Sequence, residues 1–161
     1  MEESCDKLEI YHLAHDWGVR VHRMTLGLPS FERFEEGAQS RRSAKRVSAC
    51  IVEGHTLRKY KGLYLNFLYR ALASSDETQE HLKYLFDTGS LTDEKLYREL
   101  MDAYRLISKK TFRFISTVEK DYEKPRYLEG DDNSMYDEDI HESVPSTVDR
   151  PPSTGSVNRQ P

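Results

Sequence analysis

The chain has 161 residues, of which 32% are charged and 37% hydrophobic, with a net charge of −4 and two cysteines. That length fits one domain with an appendage. No apolar run approaches the roughly 18 residues of a membrane span and no signal-type N-terminus is present, and Cys5 and Cys50 lack the CxxC spacing of a zinc or disulfide framework, so a reduced, cytoplasmic protein with no membrane association is the expectation.

The charge is unevenly placed. Residues 1–122 carry 20 of the 24 Lys/Arg and 19 of the 28 Asp/Glu, a balance of +1, whereas residues 123–161 carry 4 and 9, a balance of −5. A near-neutral body and an acidic tail follow, and the whole-chain charge says little about what the body binds.

In chain order, Asp6 is a candidate cap for a first helix. Its apolar residues Ile10, Ala14, Trp17, Val21, Met24 and Leu28 recur at alternating steps of four and three, the seam of a helix lying nearly parallel to its neighbours. Gly27 and Pro29 end it. The connection 29–38 carries Phe31 and Phe34, which are expected to tuck back onto the body, and Gly37 closes it. A second helix over 39–53, starting at Gln39 or Ser40, has only Ala44, Val47, Ile51 and Val52 as apolar positions. Ser43, Ser48 and Ala49 keep it slim enough for close packing, and Gly54 reads as its C-cap. A basic connection then runs over 55–62.

The third helix, 63–88, has the seam Leu65, Leu68, Leu72, Ser75, Gln79, Leu82 and Phe86. Tyr64, Phe67, Tyr69, Ala71 and Leu85 widen the apolar surface beyond one face, which points to more than one neighbour and hence to self-association. Gly89 caps its end, and Thr92 with Asp93 and Glu94 starts a fourth helix carrying Leu96, Leu100, Ala103, Ile107, Phe114 and Val118 to about Tyr122. Residues 123–161 are acidic, then rich in Pro, Ser and Thr, and read as a disordered tail. The fold class is all-α: an antiparallel up-down-up-down four-helix bundle over 1–122 with a disordered acidic C-terminal tail.

The segment with the strongest chemistry is QSRRSAKRVSACIVEGHTLRKYK, residues 39–61. Arg42, Lys45 and Arg46 fall on one helical face with Arg41 at its border, a spacing at which each cation can neutralise a phosphate. Arg58, Lys59 and Lys61 extend the patch if the turn folds alongside, and Lys59-Tyr60-Lys61 sets an aromatic between cations, suited to stacking on an unpaired base. The plain alternative is a solvated face. Other chemistry finds little support. A di-iron bundle needs two Glu-x-x-His motifs, and Glu9-x-x-His12 stands alone among His12, His15, His22 and Asp16, so no metal or other cofactor is expected. Ser43, Ser48 and Cys50 have no His–acid pair, so no catalytic residue is expected. Trp17, Tyr11, Tyr64, Phe67 and Tyr69 sit at seam spacing, which favours core or subunit contact over base stacking.

Four stretches, IYHLAHDWGVRVHRMT, RRSAKRVSACIVEGHTLR, YLNFLYRALASSDETQEHL and GSLTDEKLYREL, resemble in order and spacing the small bacterial four-helix bundle proteins called 23S rRNA intervening-sequence proteins. The resemblance covers residues 8–120. It implies a homopentameric barrel with a basic rim or channel, a role in binding RNA or DNA, and no enzymatic reaction. A related branch serves as accessory protein to the reverse transcriptase of diversity-generating retroelements, so a protein-interaction scaffold is the alternative function. The chain departs from the family pattern at Lys45 and Arg46, where the helix is usually more apolar, and at Cys50-Ile51-Val52-Glu53-Gly54, where the usual sequence is Asn-Ile-Ala-Glu-Gly. In such a ring Glu53 would pair with Arg41 or Arg42 of a neighbouring subunit, Tyr64 and Phe67 would meet that neighbour, and the acidic tail would either lie on the basic rim or remain solvated.

Overall fold

Amphipathic periodicity resolves into four helices in the computed structural model, which describes residues 4–122: α1 (Glu9–Leu26), α2 (Glu36–Thr56), α3 (Lys61–Asp87) and α4 (Glu94–Asp121). Each helix packs on its neighbours in sequence, and α1 closes against α4, while the diagonal pairs stay apart. This is the antiparallel four-helix bundle. The expected acidic tail lies outside the described residues.

The core is built from Ile51, Leu68, Leu82, Leu85, Leu100, Tyr104, Ile107 and Ile115, all fully buried. Burial of each such side chain stabilises the fold by about 1.5–3 kcal/mol. Tyr64 also sits in this core, edge-on to Phe114 with ring centroids 6.2 Å apart, and burial pushes its phenol up to about 12.

The α2–α3 contact departs from a purely apolar seam. Helix α3 buries Tyr64, Leu68, Ala71, Ser74, Ser75, Thr78, Leu82 and Leu85 between its two neighbours; Thr78 bonds to α2 and Ser75 to α4. The expected seam is therefore right at Leu68, Ser75 and Leu82 and one residue out of phase elsewhere; Leu65, Leu72, Gln79 and Phe86 are only half-buried. The reason is close approach. Ser40, Ser43 and Ala44 of α2 are buried, as are Ser74 and Thr78 of α3, and the Thr78 hydroxyl lies within hydrogen-bond distance of Ser43 Oγ (2.9 Å) and the Ser74 carbonyl (2.8 Å), its one proton shared between them. Small hydroxyl residues let the backbones approach while their polar atoms remain bonded. The α1–α2 contact shows the same effect. Gly18, rather than Trp17, is buried, and a Cβ there would stand 3.5 Å from the Ala44 carbonyl oxygen.

Several helix ends differ from expectation. Asp6 does not cap α1; it lies in a short 3-10 turn, Cys5–Lys7, capped by Ser4, and α1 starts after Leu8 without a side-chain cap. The second helix starts at Glu36 and runs past Gly54 to Thr56. Gly37 is buried in its first turn, where a Cβ would meet the Glu32 carbonyl oxygen at 2.7 Å, so no larger residue fits. Gly54 is likewise a packing glycine rather than a cap. By contrast, Gly89 does end α3 in the left-handed region at φ 74°, and Asp93 caps α4 by accepting from the Leu96 amide at 2.9 Å.

Candidate nucleic-acid interface

The outer face of α2 presents Arg42, Lys45 and Arg46, all exposed. They are there because the opposite face, Ser43, Ala44, Val47, Cys50 and Ile51, is committed to the core. Neither Arg42 nor Lys45 has an ion-pair partner among the described residues, which leaves both charges available. Arg46 lies beside the buried Cys50. Burial raises the Cys50 thiol pKa; a hydrogen bond from Arg46 opposes that rise, Glu53 adds to it, and the charges of Arg46 and of Arg70 on α3 pull it down. Arg70, exposed and 5.5 Å over the Phe67 ring, bears on the same thiol from α3. Sequence reasoning missed it because only the antiparallel α2–α3 pairing brings it there.

Arg41 is different. Half-buried, it donates to Thr25 Oγ1 at 3.0 Å and to the Arg33 carbonyl at 2.8 Å, fastening the α1–α2 connection to the start of α2. It is a structural clamp, not a free cation on the face.

Arg58, Lys59 and Lys61 do not extend the patch. From Arg46, at the middle of α2, the helix continues ten residues to Thr56, about 15 Å at the usual rise per residue, so the second cluster stands apart from the first, at the C-terminal end of α2. There it binds the chain to itself. Arg58 donates to the His55 carbonyl at 2.7 Å, and Lys61 donates to the Glu119 carbonyl at 2.9 Å. The Tyr122 hydroxyl shares its proton between the carbonyls of Arg58 and Lys59, and the Lys59 and Lys61 ammonium groups lie over the rings of Tyr60 and Tyr122. Tyr60, expected as a stacking ring, is half-buried under that cover.

Of the residues expected to meet a neighbouring subunit, Tyr64 is 7% exposed and leaves almost no ring surface for a second copy, Phe67 is half-buried, and Glu53 is exposed late on α2. Histidine positions show no grouping of metal ligands among the described residues. Glu9 is paired to Lys110 at 2.7 Å, and His12 shares a 2.6 Å hydrogen bond with the Asp6 carbonyl. No described helix is long and apolar enough to cross a membrane.

The connection between α1 and α2 reverses expectation. Phe31 and Phe34 do not tuck in; they are 65% and 79% exposed. The turn that carries them is tied down. Glu32 faces inward at 6% exposure and accepts from Ser90 Oγ at 2.9 Å, and Arg33 Nε donates to the Leu28 carbonyl at 2.9 Å. With the carboxylate held inside, the rings one residue before it and two after it are turned outward.

Fold and site together define a small four-helix bundle protein with cations on the outer face of its second helix. The family model described as 23S rRNA-intervening sequence protein matches residues 6–113. The chain belongs to that family. Among solved structures it is similar to a protein of unknown function from the S23 ribosomal protein family of Bacteroides thetaiotaomicron, with 24% identity and a TM-score of 0.62, covering 67% of this chain and 96% of that one; the likeness is one of fold. No curated protein matches.

Proposed function

We propose that the protein binds nucleic acid, RNA or DNA, through the exposed α2 face, without catalysing a reaction. The observation that carries this reading is the set Arg42, Lys45 and Arg46 on one exposed face. Three neighbouring cations supply a sequence-independent, salt-sensitive attraction for phosphates. Assembly into a homopentamer belongs to the same proposal, since repetition would turn three cations per chain into a ring of charge. Exposed Tyr69, Tyr84, Leu106 and Phe112 on α3 and α4 offer apolar surface for it.

Filter binding over a salt series tests the reading. The triple variant Arg42→Ala/Lys45→Ala/Arg46→Ala is expected to lose about tenfold or more in affinity at low salt, and its log–log salt slope for single strands is expected to fall by about 2, at ~0.7 per phosphate contact. Arg41→Ala is the contrast. It is expected to lose about 1–2 kcal/mol of stability, from two charge-assisted bonds that are only half-buried, while keeping most of its affinity. Equal affinity and slope in the wild type and the triple variant would overturn the proposal.

A second reading, an accessory scaffold that docks a protein such as a reverse transcriptase, is favoured by one observation: the outward Phe31 and Phe34 on a tied turn, a large apolar exposure of the kind that marks protein contacts. A pull-down with nuclease treatment separates the two, because a protein partner retained after nuclease supports the scaffold.

A further inference from the structure

The cationic face borders a groove that the sequence gives no sign of. Along the outer seam between α1 and α2, His15, Gly18, Val19, His22, Lys45 and Ser48 line a depression of about 380 Å³, at the small end of ligand-sized clefts. Its lining is thin because two of its residues, Gly18 and Ser48, are small, and Gly18 lies against the Ala44 backbone; Val19 adds an apolar surface that is 38% exposed. Two imidazoles flank Gly18 and Val19 from α1, one turn above and below them. His15 has the Tyr11 ring at 5.9 Å, and His22 Nδ1 is buried with no hydrogen-bond partner among the described residues. Lys45 closes the rim from α2, one turn from Arg42 and adjacent to Arg46. The lining contains no carboxylate.

We infer that this groove holds one unpaired nucleotide of a bound strand, an inference that rests on the nucleic-acid reading above. The base lies on the Gly18–Val19 floor between His15 and His22, and its phosphate meets Lys45. The chemistry fits each part. Unstacked bases lie on aromatic and imidazole rings and expose polar edges to ring nitrogens. The neighbouring cations supply the charge that a phosphate needs. A duplex, whose bases are stacked and paired, cannot enter. A docked helix would need an apolar stripe over several turns, and here the apolar floor is interrupted by imidazoles and an ammonium group. The consequence is a preference for single strands, which three surface cations alone would not confer.

The test compares a short oligouridylate with a duplex RNA of equal length, both labelled, by fluorescence anisotropy at fixed salt. The wild type is expected to bind the single strand more tightly. Two variants leave Arg42, Lys45 and Arg46 in place: His15→Ala/His22→Ala, which removes the flanking rings, and Ser48→Phe, which fills the groove. Each is expected to lose about tenfold for the single strand, the scale of one stacked base, with duplex affinity unchanged. Circular dichroism melts check that both fold. A second readout uses the wild type alone: the His22 ring resonances are expected to shift when oligouridylate is added. Variants that bind both strands as the wild type does, or that weaken both equally, overturn the groove while leaving the α2 face standing. Binding of neither strand by the wild type overturns both. Variants that change mass in light scattering rather than strand preference assign the groove to a second copy and overturn the inference.

Discussion

Tyr104→Ala is expected to cost the bundle about 4 kcal/mol, whereas Tyr104→Phe at the same position is expected to leave stability unchanged or raise it by about 1 kcal/mol. Tyr104 is fully buried on the inner face of α4, and truncation to alanine removes a whole ring from a packed core. Its hydroxyl, however, has no hydrogen-bond partner among the described residues, and burial pushes its ionisation far above the usual tyrosine range. A buried hydroxyl without a partner carries a desolvation penalty that phenylalanine does not. The backbone carbonyl of Tyr104, which accepts from Ser75 Oγ at 3.3 Å, is retained in both variants. Urea unfolding followed by the fluorescence of Trp17 measures both. A Phe variant less stable than the wild type by more than about 1 kcal/mol would show that the hydroxyl is bonded after all.

Gly54→Val should cost about 3 kcal/mol. A Cβ at this position would stand 3.1 Å from Phe67 Cβ, 3.3 Å from Tyr64 Cδ2 and 3.4 Å from the Tyr64 carbonyl oxygen. All three belong to the first turns of α3, so a branched side chain must push α3 from α2 at the end where the α2–α3 connection and Tyr122 are tied together. Core density leaves no slack to absorb that shift. A valine variant with the wild-type urea midpoint would mean the two helices are not in such close contact there.

Glycine in this place shows what hydropathy patterning does and does not reveal. Four helices, the all-α class, the stop at Gly89 and the start at Asp93 are legible because they depend on local chemistry: apolar period, a positive φ, a carboxylate aimed at free amides. The phase of the α3 seam is not legible, because it is set by how closely α2 approaches, and close approach selects small residues such as Ala71 and Thr78 that a hydrophobic count undervalues. Gly54 reads as a cap from its neighbours in sequence and proves to be a contact with residues ten and more positions away. The orientation of Phe31 and Phe34 was hidden for a similar reason. It depends on Glu32 reaching Ser90 across the bundle, a pairing with no local signature. At the site, the exposed triplet of cations follows from helical spacing alone, but the separation of Arg41 from that triplet, the distant placement of Arg58, Lys59 and Lys61, and the bearing of Arg70 on Cys50 all depend on where long side chains find carbonyls or neighbours.

The clamp formed by Arg41 has a bearing on which sequences this fold tolerates. Two adjacent arginines look interchangeable, yet one serves two fixed oxygens at once and the other faces open solvent. A guanidinium presents its donors as a rigid fork, and an ammonium group is a single point of charge. Lysine at position 41 would have to reach Thr25 and the Arg33 carbonyl from one nitrogen instead of the two that now serve them separately, while lysine at 42 or 46 preserves the charge a phosphate meets. Within the pair, then, one position is constrained by shape and the other only by sign, and substitutions that look equally conservative fall into two unequal groups.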